Sequence, residues 1–485
     1  MKKREFLKKS AILASTTALM PSFLMACKEE KLATKATPLT RLRTAHVGVG
    51  NMGAADLKDI SSHKKVDVVA LCDVDANNLA EAKKLHPNAK IFSDYRVMLK
   101  EMGDGIDAVI VSTPDHTHAP VSMMAMEMNK SVYCQKPLTH YVSEARAMKK
   151  LAEEKNLVTQ MGIQVHSFYD YKLATLLIQS GIIGKVHTVR AWSPKNWGYD
   201  GPIPTGEDMV PETLDWNLWL GTSAKRPYKE GLYHPGNWRK LVDYGCGTLG
   251  DMGVHIFDTP YNALALDVPR TITNECREPN GFGFPENNRV TYEFPGTPYT
   301  AESLKWIWSD GPGAPDMHED LKLPNASEIT SANTESKEAS VEEKMSLETK
   351  ASGPGTLPEQ GAMFIGDKGR LLLPHFMQLP TKIVDGEYVD ISKEIAAIGI
   401  ENNMGEPIRN YDSEGPKHYH QFVDACLGTD ECTAPFSYAS KLTETILLGV
   451  IANRFPNQTL NWDSSNAKFA EEEANNFLEG DYRDF

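Results

Sequence analysis

Arg43-Thr44-Ala45-His46-Val47-Gly48-Val49-Gly50-Asn51-Met52-Gly53-Ala54-Ala55-Asp56-Leu57 passes from an apolar strand, through a G-x-G-x-x-G turn, into a helix. Such a turn is common by itself, but between a buried strand and a helix it is the pattern that cradles a dinucleotide. The first glycine permits the tight turn, the second lets the backbone approach a pyrophosphate, and the third lets helix and strand pack closely. The phosphate charge then rests on the helix N-terminus. Asp73 ends the next strand, twenty residues beyond Gly53, where an acid accepts bonds from the adenosine ribose hydroxyls. Neither Val74 nor Asp75 offers a cation for a 2′-phosphate, so NAD is expected rather than NADP. Gly48, Gly50, Asn51, Met52, Gly53 and Asp73 are the first expected cofactor residues.

Working outward, strands are expected at 43–49, 66–73, 91–92, 106–113 and 131–134, and helices at 54–62, 76–85, 118–128 and 142–154. This alternation predicts a parallel, doubly wound sheet, whose ligands bind at the carboxyl ends of the strands. At that edge lie Thr113, Pro114, His116 and His118 after the fourth strand and Gln135 and Lys136 after the fifth. Gln164 ends the sixth. An ammonium at position 136 can bond a reacting oxygen and stabilise its developing charge. His116 and His118 lack an acidic third ligand, so no metal is expected.

Past residue 165 the segments lengthen, with strand candidates at 187–192, 289–294 and 303–308. An open, mostly antiparallel sheet with helices to one side is the expected second, α+β domain. The reading therefore divides the chain into an NAD-binding Rossmann domain (42–165), a substrate and oligomerisation domain (166–435), and a C-terminal helix and tail (436–485) packing back between them. The polar, aperiodic stretch 324–358 reads as a mobile excursion. Within the second domain, Gly245-Cys246-Gly247-Thr248-Leu249-Gly250-Asp251-Met252-Gly253-Val254-His255 places a carboxylate and an imidazole four residues apart, on one face of a helix. Such a pair is suited to taking a proton from a hydroxyl.

A chain of 485 residues with 41% hydrophobic and 24% charged side chains can build two cores rather than one. The formal charge is -14, and about -18 without the basic first 26 residues, which argues against nucleic acid as a partner. Those 26 residues read as an export signal: Lys2, Lys3, Arg4, Lys8 and Lys9 precede an apolar run at 11–26. Leu24-Met25-Ala26-Cys27 resembles a lipobox, in which Cys27 receives a diacylglycerol and residues 27–41 serve as a tether. Lys3-Arg4-Glu5-Phe6-Leu7-Lys8 resembles a twin-arginine export motif with lysine in place of the first arginine. The expectation is a periplasmic or cell-surface lipoprotein of a Gram-negative bacterium, touching the membrane only through its lipid anchor. No CxxC pair is present, and Cys426 and Cys432 are spaced to close a small loop in an oxidising compartment.

The glycine turn, Thr113-Pro114-Asp115-His116-Thr117-His118, the Lys136-Pro137 step, and Asp251 with His255 together resemble the Gfo/Idh/MocA family, which includes glucose-fructose oxidoreductase and inositol dehydrogenase. The resemblance runs from about Arg41 to the end, and departs from the family at Gln135, where a glutamate is usual. Asp215-Trp216-Asn217-Leu218-Trp219-Leu220-Gly221 and His234-Pro235-Gly236-Asn237-Trp238-Arg239 resemble an exported branch found in glycan-degrading bacteria. The resemblance implies reversible hydride transfer between a sugar carbinol carbon and NAD. Lys136 holds the oxygen, His255 takes its proton, Asp251 binds an adjacent hydroxyl or orients the ring, and Gln164 lines the nicotinamide edge. It also implies a homo-oligomer. A groove of Trp192, Trp197, Tyr233, His234, Trp238 and Arg239 would suit a carbohydrate, whose CH faces stack on aromatic rings. Two other readings stand beside it. One is an NAD-dependent glycosidase using transient C3 oxidation, elimination, hydration and re-reduction. The other is a glycan-binding lipoprotein without turnover.

Overall fold

The computed structural model describes residues 39–485 apart from 325–354, 376, 406, 408 and 409. The expected export signal at 1–26, Cys27, and most of the tether and of the 324–358 excursion lie outside the described residues.

Six strands, β1 (Leu42–Val47), β2 (Val66–Cys72), β3 (Lys90–Phe92), β4 (Ala108–Val111), β5 (Ser131–Gln135) and β6 (Thr159–Gly162), form a parallel sheet in the order β3-β2-β1-β4-β5-β6. The central β4, Ala108-Val109-Ile110-Val111, is continuously apolar and buried, as a strand covered on both faces requires, whereas the edge strand β3 is largely exposed. Val47 pairs with Cys72 on one side and Val111 on the other. The strand order reverses there, and the loops after β1, β2 and β4 open onto one crevice. Between the strands run α1 (Met52–Ser61), α2 (Ala76–Leu85), α3 (Tyr95–Met102), α4 (Asp115–Glu127) and α5 (Val142–Lys155).

The short α3 escapes the sequence reading because only Met98 and Leu99 on it are buried. Its signature is local: Asp94 caps it by accepting the Arg96 N–H at 2.8 Å. Helix α4 begins three residues before the expected start, because Pro114 occupies its N-cap and Asp115 its acidic first turn. His116 therefore belongs to the helix rather than to the loop before it, and His118 lies within the first turn rather than at its start.

The second sheet has ten strands in the order β14-β13-β12-β11-β7-β10-β9-β8-β15-β16. These are β7 (Val186–Ser193), β8 (Thr271–Glu275), β9 (Asn288–Pro295), β10 (Thr300–Asp310), β11 (Gly361–Gly366), β12 (Gly369–Pro374), β13 (Thr381–Val384), β14 (Glu387–Val389), β15 (Thr459–Asp463) and β16 (Lys468–Phe469). Only β7 and β10 pair in parallel. Burial alternates residue by residue along β9, with Val290, Tyr292 and Phe294 facing the core. The remaining helices are α6 (Tyr169–Gln179), α7 (Trp216–Leu220), α8 (Val254–Ala263), α9 (Ser392–Glu401), α10 (Tyr411–Cys426) and α11 (Phe436–Ala452).

Two late helices tie the ends of the chain together. Helix α11 packs on both α5 and β8, with Arg146 Nη2 2.6 Å from Glu444 Oε1. Helix α10 covers the first sheet through Tyr419, Phe422 and Val423, which contact Ile60, Ala108, Ile110 and Tyr133 in one apolar cluster. The largest cluster is continuous through both sheets, joining Val47, Val111 and Met161 to Leu249, Phe257, Trp306 and Leu447. The two cores expected from composition are in this respect one. Cys426 and Cys432 are free, half-buried thiols. Among the described residues no helix is long and apolar enough to cross a membrane.

Burial pushes Asp56 up to about 6, and Asp115, Glu144, Asp170 and Asp310 up to about 7. Each of these carboxyls binds its proton more tightly folded than unfolded. Their contribution is therefore complete below the ordinary carboxylate range and lost as pH rises through 6 and 7. Seven buried imidazoles, His46, His116, His118, His140, His255, His375 and His418, oppose this: burial holds each below the ordinary histidine value, so their contribution is present at neutral pH and lost as pH falls through that value.

Candidate active site

Gly48 sits at φ +82°, and a Cβ there would lie 2.5 Å from Ser112 O. A Cβ on Gly53 would lie 2.2 Å from Gly48 O, so strand and helix close on each other only over glycine. Asn51 precedes α1 at φ 47°, a strained state that a short amide side chain tolerates. Asp73 joins this turn to the end of β2. Its Oδ2 accepts the Val49 N–H at 2.9 Å and Asn78 Nδ2 at 3.3 Å, while Oδ1 accepts the Asp75 N–H at 2.9 Å. At the crevice, Thr113 Oγ1 is buried without a hydrogen-bond partner among the described residues, as a hydroxyl awaiting a ligand would be. A glycine cradle, an outward-facing helix start and an orphaned hydroxyl fit a dinucleotide. Gly53→Ala is expected to weaken NAD binding about a hundredfold or more, read by calorimetric titration. Wild-type affinity in that variant would contradict the cradle.

Across the crevice, the first sheet and the second unit meet at Asp251. The turn carrying it, Leu249–Gly253, is π-helical and leads directly into α8. Such turns concentrate at functional sites. Lys136 Nζ donates to Asp251 Oδ1 at 2.8 Å and to its backbone O at 3.1 Å. Arg239 Nε donates to the same Oδ1 at 3.0 Å, and Trp197 Nε1 to Oδ2 at 2.6 Å. Burial opposes ionisation of Asp251, yet the Lys136 and Arg239 cations hold it far below the usual carboxylate range. It anchors these three donors and makes no hydrogen bond to His255 among the described residues.

His255 stands one turn on, its ring 6.1 Å from that of His375, which is itself hydrogen-bonded to the Tyr171 hydroxyl. Burial, with Lys136 and His375 adding to it, drives His255 well below the ordinary imidazole value, so the ring is neutral. Its Nδ1 is buried without a partner among the described residues.

Several expected site residues are placed elsewhere. His116 is buried against Trp219 and Tyr244, with Nε2 3.1 Å from Trp219 O, and joins the two units rather than meeting a cofactor. His118 bridges the carbonyls of Thr113 at 2.7 Å and Pro137 at 2.8 Å, which fixes the loop carrying Lys136. It is a positioning residue. Trp192 is fully buried, its Nε1 donating to Pro358 O at 3.0 Å, and has no face for a sugar. Tyr233 and Trp238 are buried in an aromatic cluster with Trp219 and Tyr244. His234 contacts Asp75 Oδ2 at 3.1 Å, on the adenosine side. Of the expected sugar platform, Trp197 and Arg239 alone bond to Asp251. Among the described residues no three His, Cys, Asp or Glu side chains gather as a metal site.

A second network centres on an acid that no sequence motif marks. Asp56, fully buried on α1, accepts Ser112 Oγ at 2.5 Å, Tyr419 OH at 2.7 Å, and Gln135 Nε2 at 2.9 and 3.0 Å. Gln164 Nε2 donates to the same Tyr419 hydroxyl at 2.7 Å, so its amide serves this network rather than the nicotinamide edge. The only local signal is an acid inside the apolar face of a helix. Asp115, buried near the Lys136 and Arg239 charges, lies in the same motif as His116 and His118.

Two family models match the chain. Residues 42–163 match an oxidoreductase family with an NAD-binding Rossmann fold, and residues 170–281 match its C-terminal α/β domain. Inositol 2-dehydrogenase of Salmonella typhimurium is 30% identical over 148 residues, 30% of this chain and 43% of that protein. A glycosyl hydrolase family 109 protein of Shewanella woodyi is 29% identical over 157 residues, 30% of this chain and 33% of that protein. The matched stretch is thus less than half the length of either relative. An inositol dehydrogenase homologue of Azotobacter vinelandii, solved with NADH and myo-inositol, superposes with a TM-score of 0.58 at 15% identity, covering 88% of this chain and 98% of that one. The glycine cradle and the Lys136–Asp251 contact lie in the two stretches that match the Gfo/Idh/MocA oxidoreductases, an NAD-binding Rossmann domain followed by the family's C-terminal domain.

Proposed function

We propose that this protein oxidises a secondary hydroxyl of a sugar or glycoside. Bound NAD supplies the hydride acceptor. The observation that carries this reading is the meeting of Lys136, Asp251 and His255 at the carboxyl edge of the Rossmann sheet, with Lys136 Nζ 2.8 Å from Asp251 Oδ1. An ammonium has three donors, and Asp251 takes two of them. The third is available to the oxygen that becomes a carbonyl. The neutral His255 ring is in the state that accepts the hydroxyl proton. Arg239, stacked 4.3 Å over Trp238, bonds Asp251 only through Nε. Its two terminal nitrogens make no hydrogen bond among the described residues and suit the remaining hydroxyls of a polyol.

A second reading is favoured by the similarity to the glycosyl hydrolase family 109 protein. In it the same cluster oxidises C3, the C2 proton leaves, the aglycone is eliminated, water adds, and the ketone is reduced again. No net cofactor is consumed. The lipobox-like sequence at Cys27 and the signal before it support an exported protein, for which internal recycling would remove the need for a cofactor pool. The family resemblance supports a homo-oligomer.

Mass spectrometry of the denatured protein for released NAD, followed by incubation with aryl glycosides without added cofactor, separates the readings. Retained NAD with aglycone release supports the glycosidase. Protein that oxidises sugars only when NAD is supplied supports the dehydrogenase. Sugar bound but unchanged under both conditions overturns both in favour of a binding protein.

A further inference from the structure

The adenosine end of the crevice has a second wall, built by the other half of the chain. Residues 211–216 cross over the turn between β2 and α2 and are bonded to it backbone to backbone. The Asp215 N–H donates to Val74 O at 2.9 Å, and the Ala76 N–H donates to Thr213 O at 2.9 Å. Asp75 and Leu214 form an antiparallel bridge, and Asn77 Nδ2 reaches Thr213 Oγ1 at 3.3 Å. His234 reinforces the join through Asp75 Oδ2 at 3.1 Å. The wall is stiffened from behind, where Trp216 stacks on Trp219 with centroids 4.8 Å apart.

Between the two backbones lies a cleft of about 440 Å³, lined by Asp73, Val74 and Ser93 on one side and Glu212, Thr213 and Trp216 on the other. That volume falls in the range of small-molecule sites. Its chemistry is selective. Three carboxylates, Asp73, Glu212 and Asp215, line it, and no lysine or arginine does. A flat, uncharged base with a ribose is compatible with this lining, and a phosphate on the 2′-oxygen is repelled from both sides.

We propose that residues 212–216 complete an adenosine-binding site, and that their backbone bonds to the β2–α2 turn slow the release of NAD. The proposal rests on the reading of NAD as cofactor. It makes the cofactor a retained group rather than a freely exchanging co-substrate. Breaking the two backbone hydrogen bonds across the wall should speed that release, because the β2–α2 turn and residues 212–216 line opposite sides of the cleft.

The test compares two substitutions at one position. Asp215 has φ −80°, within the range of proline, and Leu214 before it is in an extended bridge as proline prefers. Asp215→Pro removes both the cross-wall N–H and the side-chain cap on Leu218, whereas Asp215→Ala removes the cap alone. Isotopically labelled NAD is loaded and chased with unlabelled NAD, and the label retained is followed by mass spectrometry. Asp215→Pro should release NAD about tenfold faster than Asp215→Ala or more, with affinity for nicotinamide mononucleotide unchanged. Equal release rates in the two variants would overturn the proposal.

Hydrogen exchange on the wild-type protein supplies the second arm. AMP should slow exchange at both Ala76 and Asp215, and nicotinamide mononucleotide at neither. Protection confined to Ala76, or absent from both, would also overturn the proposal. Protection of both by AMP in a protein that holds no NAD would support the wall and overturn the NAD reading, so the two failures are distinguishable.

Discussion

Lys136→Met is expected to lower kcat about a thousandfold while leaving the protein folded and its affinity for NAD within about threefold of wild type. The side chains are similar in length and volume, so packing changes little. What disappears is the ammonium, two of whose donors hold Asp251 at 2.8 and 3.1 Å. Asp251 remains held by Arg239 Nε at 3.0 Å and Trp197 Nε1 at 2.6 Å, so it is not left as an isolated buried charge. The loss should therefore fall on kcat, where charge develops on the substrate oxygen, more than on KM. Steady-state kinetics with calorimetric NAD titration checks both halves. A variant that turns over at the wild-type rate, or one that no longer binds NAD, would contradict the assignment.

Gln135→Glu should destabilise the protein by about 3 kcal/mol at pH 8, although glutamate is the usual residue there in the family that this sequence resembles. Gln135 Nε2 lies 2.9 and 3.0 Å from the two oxygens of Asp56, inside the protein. A glutamate would set two carboxyl groups at that separation, and one of them would have to keep a proton. Burial already pushes Asp56 up to about 6. The added acid raises the pair's proton affinity further above that of the unfolded chain, so the deficit should shrink at pH 5 and grow as pH rises. Asp56→Asn combined with Gln135→Glu moves the charge without duplicating it and should recover most of the loss. Urea denaturation of the two single variants and the double variant at both pH values measures the coupling. Additive effects in that cycle would remove the explanation for glutamine at this position.

What could be read from the sequence was local. The glycine turn, its flanking strand and helix, and Asp73 lie within a short segment whose spacing carries its own physical meaning. Lys136, Asp251 and His255 were legible because a chemically distinctive residue follows a strand end or opens a helix, and the structure sets Lys136 and Asp251 at 2.8 Å. Asp56 was not legible, because its meaning depends on Tyr419, 363 residues away, and on α10 returning to cover the first sheet. The aromatic residues misled for a different reason. Tryptophan and tyrosine serve sugar platforms and cores equally well, and nothing in a linear pattern distinguishes Trp192, which is fully buried, from Trp197, which reaches Asp251. The wall over the adenosine end was invisible for the same reason as Asp56, since it is made by backbone groups from distant segments.

The central claim is that Lys136, Asp251 and His255 oxidise a sugar hydroxyl at bound NAD. Its most direct test mixes NAD-loaded protein with a panel of free sugars and aryl glycosides in a stopped-flow instrument and records nicotinamide absorbance. With at least one sugar, reduced nicotinamide should form in the wild type, lasting in a dehydrogenase and transient in an internal redox glycosidase, and none should form in Lys136→Met. Absence of reduced nicotinamide with every sugar, or its equal formation in the Lys136→Met protein, would contradict the account.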